Sequence, residues 1–417
     1  MIAKGTNSTE GVYNGTTEIG SIYKGTNSVY ESFQELTTEG VPPITIPKCK
    51  NTNMLGYKVY GQCTQSSTPS ETTPVEVQTI GTRTNNYFDT KKVSRYNTDI
   101  TIGNDSLTVV SGYQIIVNFK PYDLKPNTTY TLKYHLSRTQ AVNNVQGRFR
   151  FAKDDGATSL SVIDYSDATS LEIDLIGTFT TPSDIREYRK LWIYSGSTAT
   201  TSFQNIQLVE GTYTLQTMPA YESYGYNIPI KITNSNSNIT TTNIYLREPL
   251  RKLDNYIDYI DFENQKVYRN VGQQYYDGYS NSVTRETTRY TDYSRYTLAN
   301  FSPTNAQTGA SEEICNYFKP GQVANSFFVG YNTAGFLYLS DTLIGVTSDD
   351  TSSGRIAKAN NWLKTLTPVL YIVYPRSATG EEGIILPDIL LNKGTNIVSV
   401  DTTTTPSNMW IKYKGKE

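Results

Sequence analysis

The 417-residue chain contains a single histidine, three cysteines and four methionines, with no apolar run long enough to span a bilayer and no block of like charge. The lone His135 lies in Tyr134-His135-Leu136, with no Ser-Gly or Cys motif beside it. Nucleophilic triads and most acid–base schemes are therefore disfavoured, and His135 reads as a structural or exposed strand residue. Cys49, Cys63 and Cys315 lack the paired spacing of a thiolate metal site. Three thiols do not staple a secreted fold; Cys49 and Cys63 could face each other across paired strands, but free structural thiols are the expectation. No glycine-rich phosphate loop, nucleotide fingerprint or HExxH motif is present. The expectation is a protein that is not an enzyme, with neither cofactor nor metal. A formal charge of −2 gives no electrostatic reason to bind nucleic acid or an anionic membrane. The first residues form no apolar signal-peptide core, so synthesis in a cytoplasm without signal-peptide export or membrane insertion is expected.

What the chain has in excess is tyrosine, 34 residues against 13 Phe, together with Ser, Thr and Asn. These suit half-exposed strands, so a mainly β, multi-domain protein is expected. Acidic clusters fit that picture. Asp258, Asp261 and Glu263 alternate with Tyr259, Ile260 and Phe262, as on the solvent face of a hairpin. Asp154-Asp155-Gly156 and Asp349-Asp350 read as turn and cap residues rather than calcium ligands.

The N-terminus repeats itself. Lys4-Gly5-Thr6, Asn14-Gly15-Thr16 and Lys24-Gly25-Thr26 recur every ten positions between short alternating runs. Gly tolerates positive φ, so these are hairpin turns. A lone hairpin cannot bury a face, so residues 1–36 are expected to stack on copies of the chain or on another protein. The alternative is a surface meander of a monomeric β domain.

A Pro-rich connector, 37–48, follows. Segments 49–99, 216–271 and 379–417 read as a discontinuous β framework carrying two inserted lobes. The first, 100–215, reads as an antiparallel sandwich with strands near 114–119, 130–136, 148–151, 160–163, 171–179, 191–194 and 203–210. The second, 272–378, is β-rich with one helix near 352–366. There Ile356, Ala359, Leu363 and Leu366 share a face, and Asp350, Thr351 and Ser352 offer caps.

Several stretches resemble known families. Ile22-Tyr23-Lys24-Gly25-Thr26-Asn27, Pro74-Val75-Glu76-Val77 and Asn86-Tyr87-Phe88-Asp89 resemble tail, baseplate and minor structural proteins of phages and prophages of Gram-positive bacteria. Tyr87 stands where Leu is more usual. Tyr221 to Ile232, Asn243-Ile244-Tyr245-Leu246, Glu248-Pro249-Leu250-Arg251-Lys252 and Asp258 to Val267 extend the resemblance, and Lys393-Gly394-Thr395-Asn396 repeats the N-terminal turn. Leu124-Lys125-Pro126-Asn127-Thr128-Thr129-Tyr130-Thr131-Leu132 resembles a strand entry of jelly-roll carbohydrate-binding modules, and 203–211 resembles their closing strand.

These resemblances imply a phage tail-tip protein, baseplate or receptor-binding (fibre-type), that mediates host attachment. It would sit in the virion beside other tail proteins, assemble with itself as a homotrimer, and bind host cell-wall glycan. A purely structural connector or decoration protein is the alternative, and a bacterial surface adhesin a third. Sugar rings stack on exposed aromatics, and the sandwich lobe offers Tyr113, Tyr165, Tyr188, Trp192 and Tyr194, with Arg186 and Arg189 close by. Trp192 alternates with Ile193, so one of them faces the core; if it is Trp192, Tyr194 is taken as the outward candidate.

Overall fold

In a computed structural model, described residues run from 58 to 384 with short interruptions. The interruptions are 66, 91–92, 96–99, 104, 110–114, 119–123, 141–145, 156–157, 167–169, 195–199, 235–238, 262–263, 280–281, 302–312 and 331–333. Short strands at 13–14, 17–18, 21–24, 27–31, 44–45, 388–389, 395–400 and 411–414 are also described. The fold is mainly β, with two helices among the described residues, Asp341–Ile344 and Ser352–Thr365. Antiparallel pairs Tyr13–Asn14 with Thr17–Glu18, and Ser21–Lys24 with Asn27–Glu31, make hairpins at the second and third N-terminal repeats. Lys4, Gly5, Thr6, Gly15, Thr16, Gly25 and Thr26 lie outside the described residues.

Two five-stranded antiparallel sheets form a sandwich. One orders Ser94–Arg95, Ile115–Asn118, Lys190–Tyr194, Gln146–Ala152 and Ser159–Ser166. The other orders Ile100–Ile102, Ser106–Val109, Thr201–Glu210, Thr129–Arg138 and Glu172–Thr180. Every strand expected in this lobe is present; the short strands at 94–95, 100–102 and 106–109 went unread. Period-two alternation builds the core: Tyr130, Leu132, Tyr134 and Leu136 point inward with Phe149, Phe151, Leu191, Ile193 and Phe203, all fully buried. The sheets approach so closely at Gly177 that a Cβ there would lie 2.2 Å from the Val162 carbonyl oxygen.

The Asn86-Tyr87-Phe88-Asp89 turn joins this sandwich to the framework. The Asn86 amide donates to the Ile206 and Glu222 carbonyls, each at 3.0 Å, and its oxygen accepts from the Phe88 and Leu208 amides. Phe88 enters the sandwich core, while Asp89 pairs with Arg247 of the framework.

A further five-stranded sheet is ordered Ile314–Cys315, Leu370–Gly383, Lys266–Tyr276, Tyr259–Asp261 and Lys58–Tyr60, and so joins strands of the segments read as framework to Ile314–Cys315 of the segment read as the second lobe. A further sheet pairs Ile239–Leu246, Tyr226–Asn234, Thr395–Val400 and Ile411–Lys414. The expectation that Asp258 and Asp261 line a solvent face is wrong. Asp258 is fully buried and Asp261 is 5% exposed. Asp258 accepts from the Asn270 and Val271 amides at 2.7 and 2.9 Å, and from Arg269 at 3.4 Å. Arg269 also donates to the Pro249 and Glu248 carbonyls, and Arg251 to Glu248 and Gln273. Burial pushes the Asp258 carboxyl above its ordinary range, with Arg269 and Arg251 opposing. Burial acts the same way on Glu248, but there Arg251 and Arg269 outweigh it and bring the group down to about 2. Asp261 instead accepts from the Asn264 amide at 3.1 Å and from its side chain, closing the turn.

Between 272 and 378, Val283–Arg289, Tyr293–Leu298, Ala334–Ser340, Ser326–Gly330 and Lys319–Pro320 form another sheet. The helix expected at 352–366 runs Ser352–Thr365, with the Thr351 hydroxyl accepting from the Gly354 amide. Ala359 and Leu363 are fully buried, and Leu366 and Ile356 join the same core. The helix is clamped to the sheet by Arg355, whose guanidinium holds both Glu286 oxygens at 2.7 Å, and by Asn360, which bonds both backbone groups of Val283. Gly278, at φ +77°, lies against the helix, and a Cβ there would meet the Asn360 carbonyl oxygen at 2.1 Å.

Two predictions follow from these buried charges. Asp258→Ala strips four donors of their acceptor, the Asn270, Val271 and Arg251 amides and the Arg269 guanidinium, and should cost about 3–5 kcal/mol in urea denaturation, as expected for a broken buried pair. Asp174→Ala, on the exposed sandwich face, should stay within about 0.5 kcal/mol. The second concerns Glu286. Burial would raise its carboxyl, but Arg355, Ser294 and Ser352 prevail and bring it from 4.5 to about 2. A depressed carboxylate contributes stability above its unfolded value and loses it as the proton returns. Protection factors for hydrogen exchange across 352–365, taken against the intrinsic rate at each pH, should therefore fall as pH drops from 4.5 towards 2, and Glu286→Gln should flatten that dependence.

Candidate functional site

The aromatic residues singled out in the sandwich do not come together as one platform. Tyr113 lies outside the described residues, and Tyr165 and Tyr194 lie on described strands whose side chains at those positions are not described. Tyr188 is 7% exposed and belongs to the core, beneath the Lys153 ammonium at 5.3 Å, so it presents no ring face to a ligand. Burial raises its hydroxyl above the usual range. Arg186 and Arg189, expected as hydroxyl partners, serve a joint between lobes instead. Arg186 donates to the Leu366 carbonyl and, at 3.1 Å, to Thr367, at the end of the long helix. Arg189 pairs with Asp277 at 2.7 Å.

Trp192 is the candidate that faces outward. Its neighbours Leu191 and Ile193 are both fully buried, so alternation turns the half-buried indole to the opposite face. Positions 192 and 194 are two apart on one strand, so, contrary to expectation, alternation does not set them on opposite faces; the side chain at 194 itself is outside the described residues. The register sets Trp192 between Ile116 and Arg150, and Tyr194 beside Arg148.

Arg148 and Arg150 share the carboxylate of Asp164; the Arg150 contact measures 3.0 Å. Strict alternation from Ser161 would have buried Asp164. A bulge at Val162 and Ile163, both inward, resets the parity: Phe149 faces Ile163 whereas Arg150 faces Ser161. Asp164 thereby emerges opposite Arg148. The Arg148-Phe149-Arg150-Phe151 alternation was visible in the sequence as a sign of two outward guanidinium groups; the bulge was not.

This patch holds a partly exposed indole, two guanidinium groups and a carboxylate. The Trp192 ring nitrogen is buried with no hydrogen-bond partner among the described residues. The opposite sheet is lined by hydroxyls, Thr129 with Thr180, Thr131 with Thr178 and Thr108 with Ser202, and His135 bonds Asp174 there at 2.9 Å.

Elsewhere Asp155 accepts from Thr158 and Asp350 from Thr347, so both acidic pairs close turns. Among the described residues no cluster of three His, Cys, Asp or Glu could hold a metal. Cys49 lies outside the described residues. Cys63 and Cys315 are unpaired thiols, pushed by burial to about 11 and about 12, and so remain protonated.

No protein-family model matches the chain, and no curated protein matches it. Among solved structures, a "Family 16 Carbohydrate Binding Module-2" matches with 24% identity over 28% of this chain and 86% of that one, at a TM-score of 0.21. The CBM22-1 xylan-binding domain from Paenibacillus barcinonensis Xyn10C matches with 11% identity over 32% of this chain and 98% of that one, at 0.23. The N-terminal cellulose-binding domain from Cellulomonas fimi β-1,4-glucanase C matches with 20% identity over 32% and 98%, at 0.22. Likenesses this slight decide neither the fold nor the ligand of this chain.

Proposed function

We propose that this chain is a glycan-binding structural component of a phage tail tip, attached to the particle through its N-terminal hairpins and contacting host cell-wall polysaccharide through the sandwich lobe. The observation that carries the binding half of this reading is the outward Trp192 beside Arg148, Arg150 and Asp164. An indole offers its face to the C–H face of a pyranose, and the fork of each guanidinium and the carboxylate bridge hydroxyls. Glycoside hydrolysis calls for a pair of carboxylates, and among the described residues the patch offers one, Asp164, already held by Arg148 and Arg150, which supports binding rather than cleavage. The tail assignment rests on the sequence resemblance, and the ten-residue hairpin repeat suits attachment because so small a unit needs a partner to cover it.

Affinity at one such patch is low. Display as a homotrimer, and as many copies on one particle, turns weak contacts into firm adsorption through effective concentration. Trp192→Ala should reduce retention of the full-length protein on host cell walls at least tenfold without moving its thermal midpoint by more than a few degrees. Wild-type retention by this variant sinks the reading and leaves a connector without receptor contact. Removal of residues 1–36 should leave a soluble protein that still binds glycan but no longer enters particles, scored by its presence in purified virions.

A further inference from the structure

A second surface is unrelated to Trp192. Lys58–Tyr60 is the edge strand of the framework sheet, and Tyr60 is 47% exposed. Cross-strand register lines up Tyr60, Tyr259 and Tyr268 on one face. The Tyr60 and Tyr259 rings lie 5.9 Å apart, Tyr259 and Tyr268 stack at 4.8 Å and 19°, and the Lys58 ammonium sits 4.7 Å over Tyr259. This row fixes the Tyr60 ring before any ligand arrives, so little rotamer freedom remains to be lost on binding.

Tyr60 forms one wall of an open cleft of about 600 Å³, completed by Gln62, Thr64, Lys252, Asp254 and Ile257. That volume lies within the range of small-molecule sites. Among the described residues its walls carry one cation, Lys252, and one carboxylate, Asp254, so no net charge there selects an ionic ligand, and donors and acceptors are both present. The Cys63 thiol in the cleft remains protonated, so the site has no nucleophile.

We propose that this cleft is a second carbohydrate-binding site, taking a short uncharged pyranose segment that stacks on Tyr60 while Lys252, Asp254 and Thr64 bond its hydroxyls. A mixed polar cleft with one prearranged ring suits a sugar better than an apolar peptide, which would want a continuous greasy floor. The site stands on the framework, so it does not depend on the reading of the sandwich lobe.

The test uses the full-length Trp192→Ala protein, titrated calorimetrically with cellohexaose, xylohexaose, chitohexaose and mannohexaose. At least one probe should bind this variant with a stoichiometry near one. Adding Tyr60→Ala should weaken that binding at least tenfold, whereas Tyr60→Phe should keep it within about threefold. Asp254→Asn, which suits the positive φ of 44° at this exposed position while removing the charge, should weaken it several-fold and guards against misfolding of the Tyr60 variant. If no probe binds the Trp192→Ala protein, or if Tyr60→Ala leaves its binding unchanged, the proposal is overturned. Loss of all binding with Trp192→Ala alone would leave the sandwich reading intact. Full binding by Trp192→Ala that disappears with Tyr60→Ala would instead overturn the sandwich reading and uphold this one.

Discussion

The framework depends on a carboxylate that has been taken out of water. Asp258 is fully buried and survives there because the Asn270 and Val271 amides and Arg269 all point at it. Arg269 in turn fixes the Glu248-Pro249 carbonyls, and Arg251 fixes the Glu248 side chain and Gln273. Such a network is costly if any member is missing, because each remaining group is then buried without a partner. It holds strand Lys266–Tyr276, the spine of the five-stranded framework sheet, against the 248–258 segment. Gly61 belongs to the same arrangement: its amide donates to the Asp258 carbonyl, and a Cβ there would lie 2.1 Å from the Arg251 carbonyl oxygen.

The same logic explains the motifs that carry the family resemblance. Glu248 to Lys252 and Asp258 to Val267 contain the ionic core of the framework, and Asn86 to Asp89 contains the joint to the sandwich. Asn86 uses its amide oxygen twice and its amide nitrogen twice. Asn86, Asp89, Glu248, Arg251 and Asp258 in these motifs are held by hydrogen bonds and ion pairs within the fold. Arg186 and Arg189 belong with them, since both tie the sandwich to the lobe that carries the long helix. The sandwich is thus rooted at Asn86 and braced at Arg186 against Thr367, two separate points of attachment.

Both candidate binding surfaces are built on strands rather than on loops. Trp192 and Tyr60 each stand on a sheet whose register sets their neighbours, Arg150 for one and Tyr259 for the other. Rings held in this way lose little entropy on contact, and the polar groups around them are already paired or clamped. The two surfaces differ in character: the first is a cationic patch with one shared carboxylate, the second an open cleft with balanced charge.

Much of this was written in the sequence. Alternation placed the sandwich strands, the 3.6-residue period placed the helix, and the Gly-Thr turns placed two N-terminal hairpins. Those are local properties, decided by side-chain period and backbone freedom over a few residues. Tertiary structure decided the rest, because burial is a property of what lies on the other side of a strand. Asp258 alternates with aromatic residues as a surface residue would, yet a second element covers its face. Tyr188 looks like a binding ring and is core; Trp192 could have faced either way until Leu191 and Ile193 were both seen inside. Asp164 reached the outer face only through a bulge, and the row from Tyr60 to Tyr268 joins residues some two hundred positions apart that no local pattern connects.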